Sequence, residues 1–116
     1  MNASCFGLPS MTVGKIRSVF ALHPQIEKAV LYGSRAKGSY KIGSDIDLTL
    51  YGEGLGFDEL LVIMSELDDL LLPYTIDLSI FATLDHAGLR DHIQRVGVPF
   101  YDRAAEEGQG RAANSQ

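Results

Sequence analysis

Gly33-Ser34-Arg35-Ala36-Lys37-Gly38, followed by Ser44-Asp45-Ile46-Asp47-Leu48, is the stretch that decides how the rest of the chain is read. Ahead of it, Ala29-Val30-Leu31-Tyr32 has the composition of a short buried strand, and Ile46 to Tyr51 reads as another. Gly33-Ser34 between them can form a tight turn whose backbone N–H groups and hydroxyl face an anion, as in phosphate-cradling loops. Arg35, Lys37 and Lys41 concentrate positive charge here, in a chain whose net charge is −5. Asp45 and Asp47 are two residues apart, a spacing that on a strand points both carboxylates to one face.

Two carboxylates side by side repel, and one takes up a proton unless a cation stands between them. Paired carboxylate oxygens suit a hard divalent ion such as Mg²⁺. A phosphate cradle and a hard-metal site in one short segment together point to metal-assisted transfer on a nucleoside triphosphate. A Gly-Ser turn alone, or alternating Asp on a solvated edge strand alone, would carry little weight. Their combination, with a third acid downstream, favours a site.

The fuller pattern, Gly-Ser, ten residues, then Asp-x-Asp, resembles the signature of the DNA polymerase β-like nucleotidyltransferase superfamily. Gly-Ser-Arg-Ala-Lys-Gly with Ser-Asp-Ile-Asp-Leu is similar to its smallest branch, the minimal nucleotidyltransferases or MNT proteins. The resemblance spans roughly residues 12–101. It implies an α+β fold, a small mixed β-sheet with helices packed mainly on one face. It also implies a catalytic and metal-binding set of Asp45, Asp47 and Asp77, with a two-metal Mg²⁺ site and ATP as substrate. Gly33, Ser34, Arg35 and Lys37 would bind the nucleotide.

Asp77 enters because Tyr74 to Phe81 reads as a third strand on which Ile76, Leu78 and Ile80 point one way and Asp77 and Ser79 the other. If that strand neighbours the Asp45–Asp47 strand, three carboxylates converge. In the family, a third acid in such a position completes the metal site.

The remaining chain reads as one domain. Residues 1–11 lack periodicity and are expected to be a flexible N-terminal segment, with Met11 as an alternative start. A helix follows, capped by Ser10 or Thr12, with Val13, Ile16, Val19, Phe20 and Leu22 on its apolar face. It ends at His23-Pro24, and His23 suits a helix C-terminus. The first strand is expected over Glu27 to Tyr32. Ser34 to Lys37 reads as a helical turn stopped by Gly38. Tyr40 reads as a loop anchor rather than a base-stacking ring.

Phe57 to Leu72 carries a helical stripe of Phe57, Leu60, Leu61, Met64, Leu67, Leu70 and Leu71, expected to be buried in the core in preference to forming a partner surface. Pro73 would stop it. A last helix, capped by Thr83 or Asp85, runs to about Val96. His86 and His92 lack a partner at zinc spacing and read as structural. Gly97 to Tyr101 reads as a turn and a short strand or extended tail. The domain is thus expected over 12–101, with a disordered tail over 102–116.

A pI near 5.0 argues against a broad nucleic-acid-binding face. The single cysteine, Cys5, excludes an intramolecular disulfide. With no apolar run of membrane-spanning length and no leader pattern, a cytoplasmic protein with no membrane partner is expected. Larger relatives carry a second domain for base and acceptor, and only about one helix follows the third strand here. The acceptor is therefore expected to come from another protein, in a homo- or hetero-oligomer. The resemblance implies its identity: an HEPN-domain ribonuclease toxin, adenylylated on a tyrosine by its antitoxin. Small-molecule nucleotidyl transfer of the aminoglycoside type, or toxin blocking by contact alone, are the competing readings.

Overall fold

The computed structural model describes residues 4–41 and 43–106. Six strands and four helices follow in order: β1 (Ser4–Cys5), β2 (Leu8–Pro9), α1 (Ser10–Ala21), β3 (Lys28–Tyr32), α2 (Ser34–Lys37), β4 (Ile46–Tyr51), α3 (Phe57–Asp68), β5 (Ile76–Ile80), α4 (Ala87–Val96) and β6 (Val98–Asp102). The main sheet has the strand order β5-β4-β3-β6. β3 runs antiparallel to both β4 and β6, while β4 and β5 are parallel and are joined by the α3 crossover.

The two faces of this sheet follow from strand alternation. Ala29, Leu31, Ile46, Leu48, Leu50 and Leu78 pack against Val13, Ile16, Val19 and Phe20 of α1 and Ile63 and Leu67 of α3. The opposite face carries Asp47 and Asp77. It is closed at one end by α4, where Ile93 packs with Tyr32 and Phe81 in a second, smaller cluster. Helices thus cover one face throughout and the acid-bearing face only in part.

α1 begins at Ser10 with Pro9 in the N-cap position and no side-chain cap, so neither Ser10 nor Thr12 acts as expected. Leu22 lies past the helix end and is 68% exposed. His23 pairs across to Glu66 of α3 at 2.5 Å. α4 is capped not by Thr83 or Asp85 but by His86, whose Nδ1 accepts from the Leu89 N–H at 3.0 Å.

The expectation for α3 needs two corrections. It ends at Asp68 rather than Leu72, because Leu70 and Leu71 N–H groups tighten onto Leu67 and Asp68 carbonyls and Leu71 turns left-handed at φ 55°. The residue before a proline is pushed out of the helical region, so the unwinding precedes Pro73. Its stripe is also only partly buried. Of that stripe Leu67 is buried, while Phe57, Leu61, Met64 and Leu71 are exposed; off the stripe, Ile63 is buried and Val62 exposed.

Other boundaries differ too, with β3 starting at Lys28 rather than Glu27. The segment before Met11 is not featureless: β1 and β2 pair as a short hairpin, and Leu8 is fully buried in the main core. β5 starts at Ile76, two residues later than the pattern suggested, leaving Tyr74 to pack elsewhere. The expected tail starts too early, since Asp102 belongs to β6 and Arg103 donates to the carbonyls of Ile26 and His23. β6 itself is an edge strand, where a proline such as Pro99 is tolerated. The β3–β6 register shifts between Ala29 and Val30, where Tyr101 pairs with Ala29 and Pro99 with Val30. The neighbours Phe100 and Tyr101 are both buried, and both rings lie edge-on to Phe20. Residues 1–3 and 107–116, which include most of the expected tail, lie outside the described residues.

Candidate active site

The site is set by register. Tyr32 pairs with Asp47 across the antiparallel β3–β4 ladder, and Asp47 pairs with Asp77 across the parallel β4–β5 ladder. Directly opposed residues share a face, so Tyr32, Asp47 and Asp77 form one rung. β4 spans Ile46–Tyr51 as the pattern suggested, so Asp45 sits just ahead of it, two residues from Asp47. Asp77 therefore lies beside Asp47.

Gly33 joins this rung to the short helix α2. Its φ of 79° and ψ of −155° fall in a region that glycine alone adopts readily. A Cβ here would overlap the Asp47 carboxylate. Gly33 is thus needed twice, for its backbone and for its closeness to Asp47. Ser34 to Lys37 form the short helix α2, and Gly38 ends it in the left-handed conformation at φ 83°. Lys37 is exposed and Ser34 half-buried.

Arg35 does not face outward. It is 3% exposed, and its guanidinium donates from Nε and Nη2 to the Ser44 carbonyl (3.1 and 2.9 Å) and from Nη1 to the Phe6 carbonyl (2.9 Å). Tyr40 and Tyr74 flank it, with ring centroids 5.3 and 5.4 Å from the guanidinium carbon. Tyr40 is accordingly the loop anchor that the sequence suggested.

The electrostatics are those of an incompletely balanced acid cluster. Asp47 is pushed above the usual carboxylate range by burial, then by the charge of Asp77 and then of Asp45. Burial likewise raises the Tyr32 phenol. A Ser79 hydrogen bond opposes that shift, while Asp77 and Asp47 add to it. Among the described residues the ion pairs are His23–Glu66 and Arg95–Asp91, and neither involves these three acids. The negative charge is thus left for a cation to balance, and the donors are hard oxygens, so the residues fit Mg²⁺. No set of three or more His, Cys, Asp or Glu side chains among the described residues is already gathered for a metal. A bound nucleotide's phosphates would have to supply the remaining oxygens.

Sequence reasoning passed over three neighbours. Tyr32 ends its strand one residue before Gly33 and two after Val30, so the two share the face opposite Ala29 and Leu31. Ser79 donates to Thr49 at 2.9 Å in the next rung. Tyr74 was read as strand but serves Arg35.

Residues 14–106 match the family model described as polymerase beta, nucleotidyltransferase. The chain belongs to that nucleotidyltransferase family. Solved structures agree on the fold. A chain of a toxin–antitoxin complex crystallised with AMP-PNP superposes with a TM-score of 0.65 at 20% identity, over 78% of this chain and 73% of that one. A chain from the complex of tri-AMPylated Shewanella oneidensis HEPN toxin with its MNT antitoxin gives 0.61 at 16% identity, over 86% and 77%. A putative nucleotidyltransferase from Sulfolobus solfataricus gives 0.52 at 21% identity, over 82% and 80%. Comparison with curated proteins finds no significant match. Among the described residues no helix is long and apolar enough to cross a membrane.

Proposed function

We propose that this nucleotidyltransferase is a protein adenylyltransferase antitoxin, moving AMP from ATP to a tyrosine of a cognate HEPN ribonuclease toxin. The observation that carries the reading is the parallel register of Asp47 and Asp77 beside Gly33, which sets two carboxylates next to an anion turn. The toxin–antitoxin complexes that share the fold, one with AMP-PNP and one with an AMPylated toxin, support the choice of nucleotide and acceptor.

In this reading the Gly33-Ser34 turn holds the outer phosphates of ATP through backbone N–H groups and the Ser34 hydroxyl, and Lys37 adds charge at the rim. Asp45, Asp47 and Asp77 would hold Mg²⁺, which when bound neutralises phosphate charge and lowers the acceptor's pKa. The tyrosine oxygen attacks the α-phosphorus in line. The new bond is phenolic O–P, the bond to the β-phosphate oxygen breaks, and diphosphate leaves. Asp77, the exposed acid of the rung, takes the phenolic proton. Arg35 takes no phosphate in this account.

Labelled ATP, Mg²⁺, this chain and the neighbouring gene's product are incubated together. Label on the toxin tyrosine, absent when Asp45 is changed to Asn, supports the reading; toxin protection without label defeats it. That second outcome has its own support. Phe57, Leu61, Val62 and Met64 form an exposed apolar strip on α3, which suits inhibition by contact.

A further inference from the structure

Arg35 follows a phosphate-type turn, yet every nitrogen of its buried guanidinium is committed to backbone carbonyls. What it joins is informative. Ser44, which accepts two of its bonds, immediately precedes Asp45. Phe6, which accepts the third, lies in the turn of the β1–β2 hairpin at φ 59°. Gly7, at φ 74°, lies so close to Tyr40 that a Cβ would overlap its ring. Leu8 then anchors the hairpin in the main core.

We propose that the N-terminal hairpin, acting through Arg35, is a positioning element that fixes where Asp45 stands. Asp47 and Asp77 need no such help, because ladder partners hold them. Asp45 lies outside the ladders, which start at Ile46 on its side. On its C-terminal side the Ile46 N–H donates to the Thr75 carbonyl (2.9 Å); on its N-terminal side its place depends on a loop whose local ties are the Ser44 N–H to the Lys41 carbonyl (3.0 Å) and the Lys41 N–H to Ser44 Oγ (2.8 Å). The Arg35 fork adds a rigid link from that loop to the core. Lysine keeps the charge but cannot reproduce a planar fork that spans two carbonyls. The consequence for turnover rests on the function proposed above; the placement of the loop does not.

The test compares the full chain with Arg35→Lys and Gly7→Ala, all nucleotide-free, by hydrogen exchange at single amides. The Ser44 amide is expected to exchange at least about tenfold faster in both variants, while β3 and β4 amides stay within about twofold. In transfer assays kcat should fall about a hundredfold for Arg35→Lys, with KM for ATP within about threefold. Unchanged Ser44 exchange in Arg35→Lys overturns the proposal, as does equal acceleration throughout the sheet. Acceleration in Arg35→Lys alone overturns the part given to the hairpin. A retained kcat with a raised KM for ATP would make Arg35 a phosphate contact instead. A wild-type chain that transfers nothing would sink the proposed function, and the exchange data would still decide this one.

Discussion

The acid-bearing face of the sheet has two ends built from the same strands in opposite ways. At one end Asp47 and Asp77 stand side by side with like charge, next to a glycine backbone. At the other, Tyr51 stacks on Phe81 with centroids 4.7 Å apart and planes 19° from parallel. There Lys28 lies 4.6 Å from the Tyr51 ring centre, and Arg90 lies 4.3 Å from that of Phe81 while donating to the Phe81 and Leu84 carbonyls at 2.8 Å. The Thr49–Ser79 hydroxyl pair separates the two. Over four residues of strand the chemistry passes from repulsive and solvated to stacked and enclosed. α4 covers the closed end and reaches as far as Tyr32 in the acid rung; the open end keeps like charges close.

Removing a carboxylate from the open end should have the largest consequence. Asp45→Asn and Asp77→Asn are each expected to lower nucleotidyl transfer by about two to three orders of magnitude or more, the scale of losing a group that stabilises charge in the transition state. Near-wild-type unfolding temperatures are expected, because both side chains are exposed. Transfer rates with labelled ATP, measured beside thermal unfolding, check both halves. Transfer that survived either change would mean the open end is not the reactive centre.

The closed end should respond in the opposite sense. Ile93 is 2% exposed and packs with Tyr32 and Phe81. Ile93→Ala is expected to cost about 2–4 kcal/mol through lost burial and the cavity left behind. Denaturant unfolding would show the cost, while transfer per folded molecule stays within a few-fold of wild type. A large loss of turnover in the folded fraction would show that α4 reaches the chemistry directly.

Much of this division was legible in the chain. Alternation of Ile46, Leu48 and Leu50 with Asp47 and Thr49 gave the face of Asp47, and the same rule on Ile76 to Ile80 gave that of Asp77; that the two strands are neighbours in register came from the fold. What sequence could not show was what packs over each face, because periodicity gives a stripe and not its partner. The α3 stripe is the clear case: its pattern is that of a core helix, yet of its residues within α3 only Leu67 is buried. Arg35 is another. Its place in a basic motif suggested phosphate, and only the fold brings the Phe6 and Ser44 carbonyls to it from segments 29 and 9 residues away. The hairpin before Met11 escaped for the same reason, since two-residue strands leave no periodic trace.

The smallest expected effect tests whether the open end carries a cost in stability. Asp47 titrates from an ordinary value of 3.8 in the unfolded chain to a higher one in the fold, chiefly through burial. Between those values the folded state holds a proton that the unfolded state has released, so stability falls as pH rises through that window. Asp47→Asn removes the ionisation and with it the cost. The variant should therefore gain unfolding temperature relative to wild type as pH rises above Asp47's ordinary 3.8, and hold a constant lead once Asp47 is ionised in the fold. The lead should be modest, because the side chain is still partly solvated. Millimolar Mg²⁺ should narrow it by stabilising the wild type more than the variant. A variant less stable than wild type at neutral pH would mean that Asp47 is held by favourable contacts, and the two ends of the face would then not differ in the way their chemistry implies.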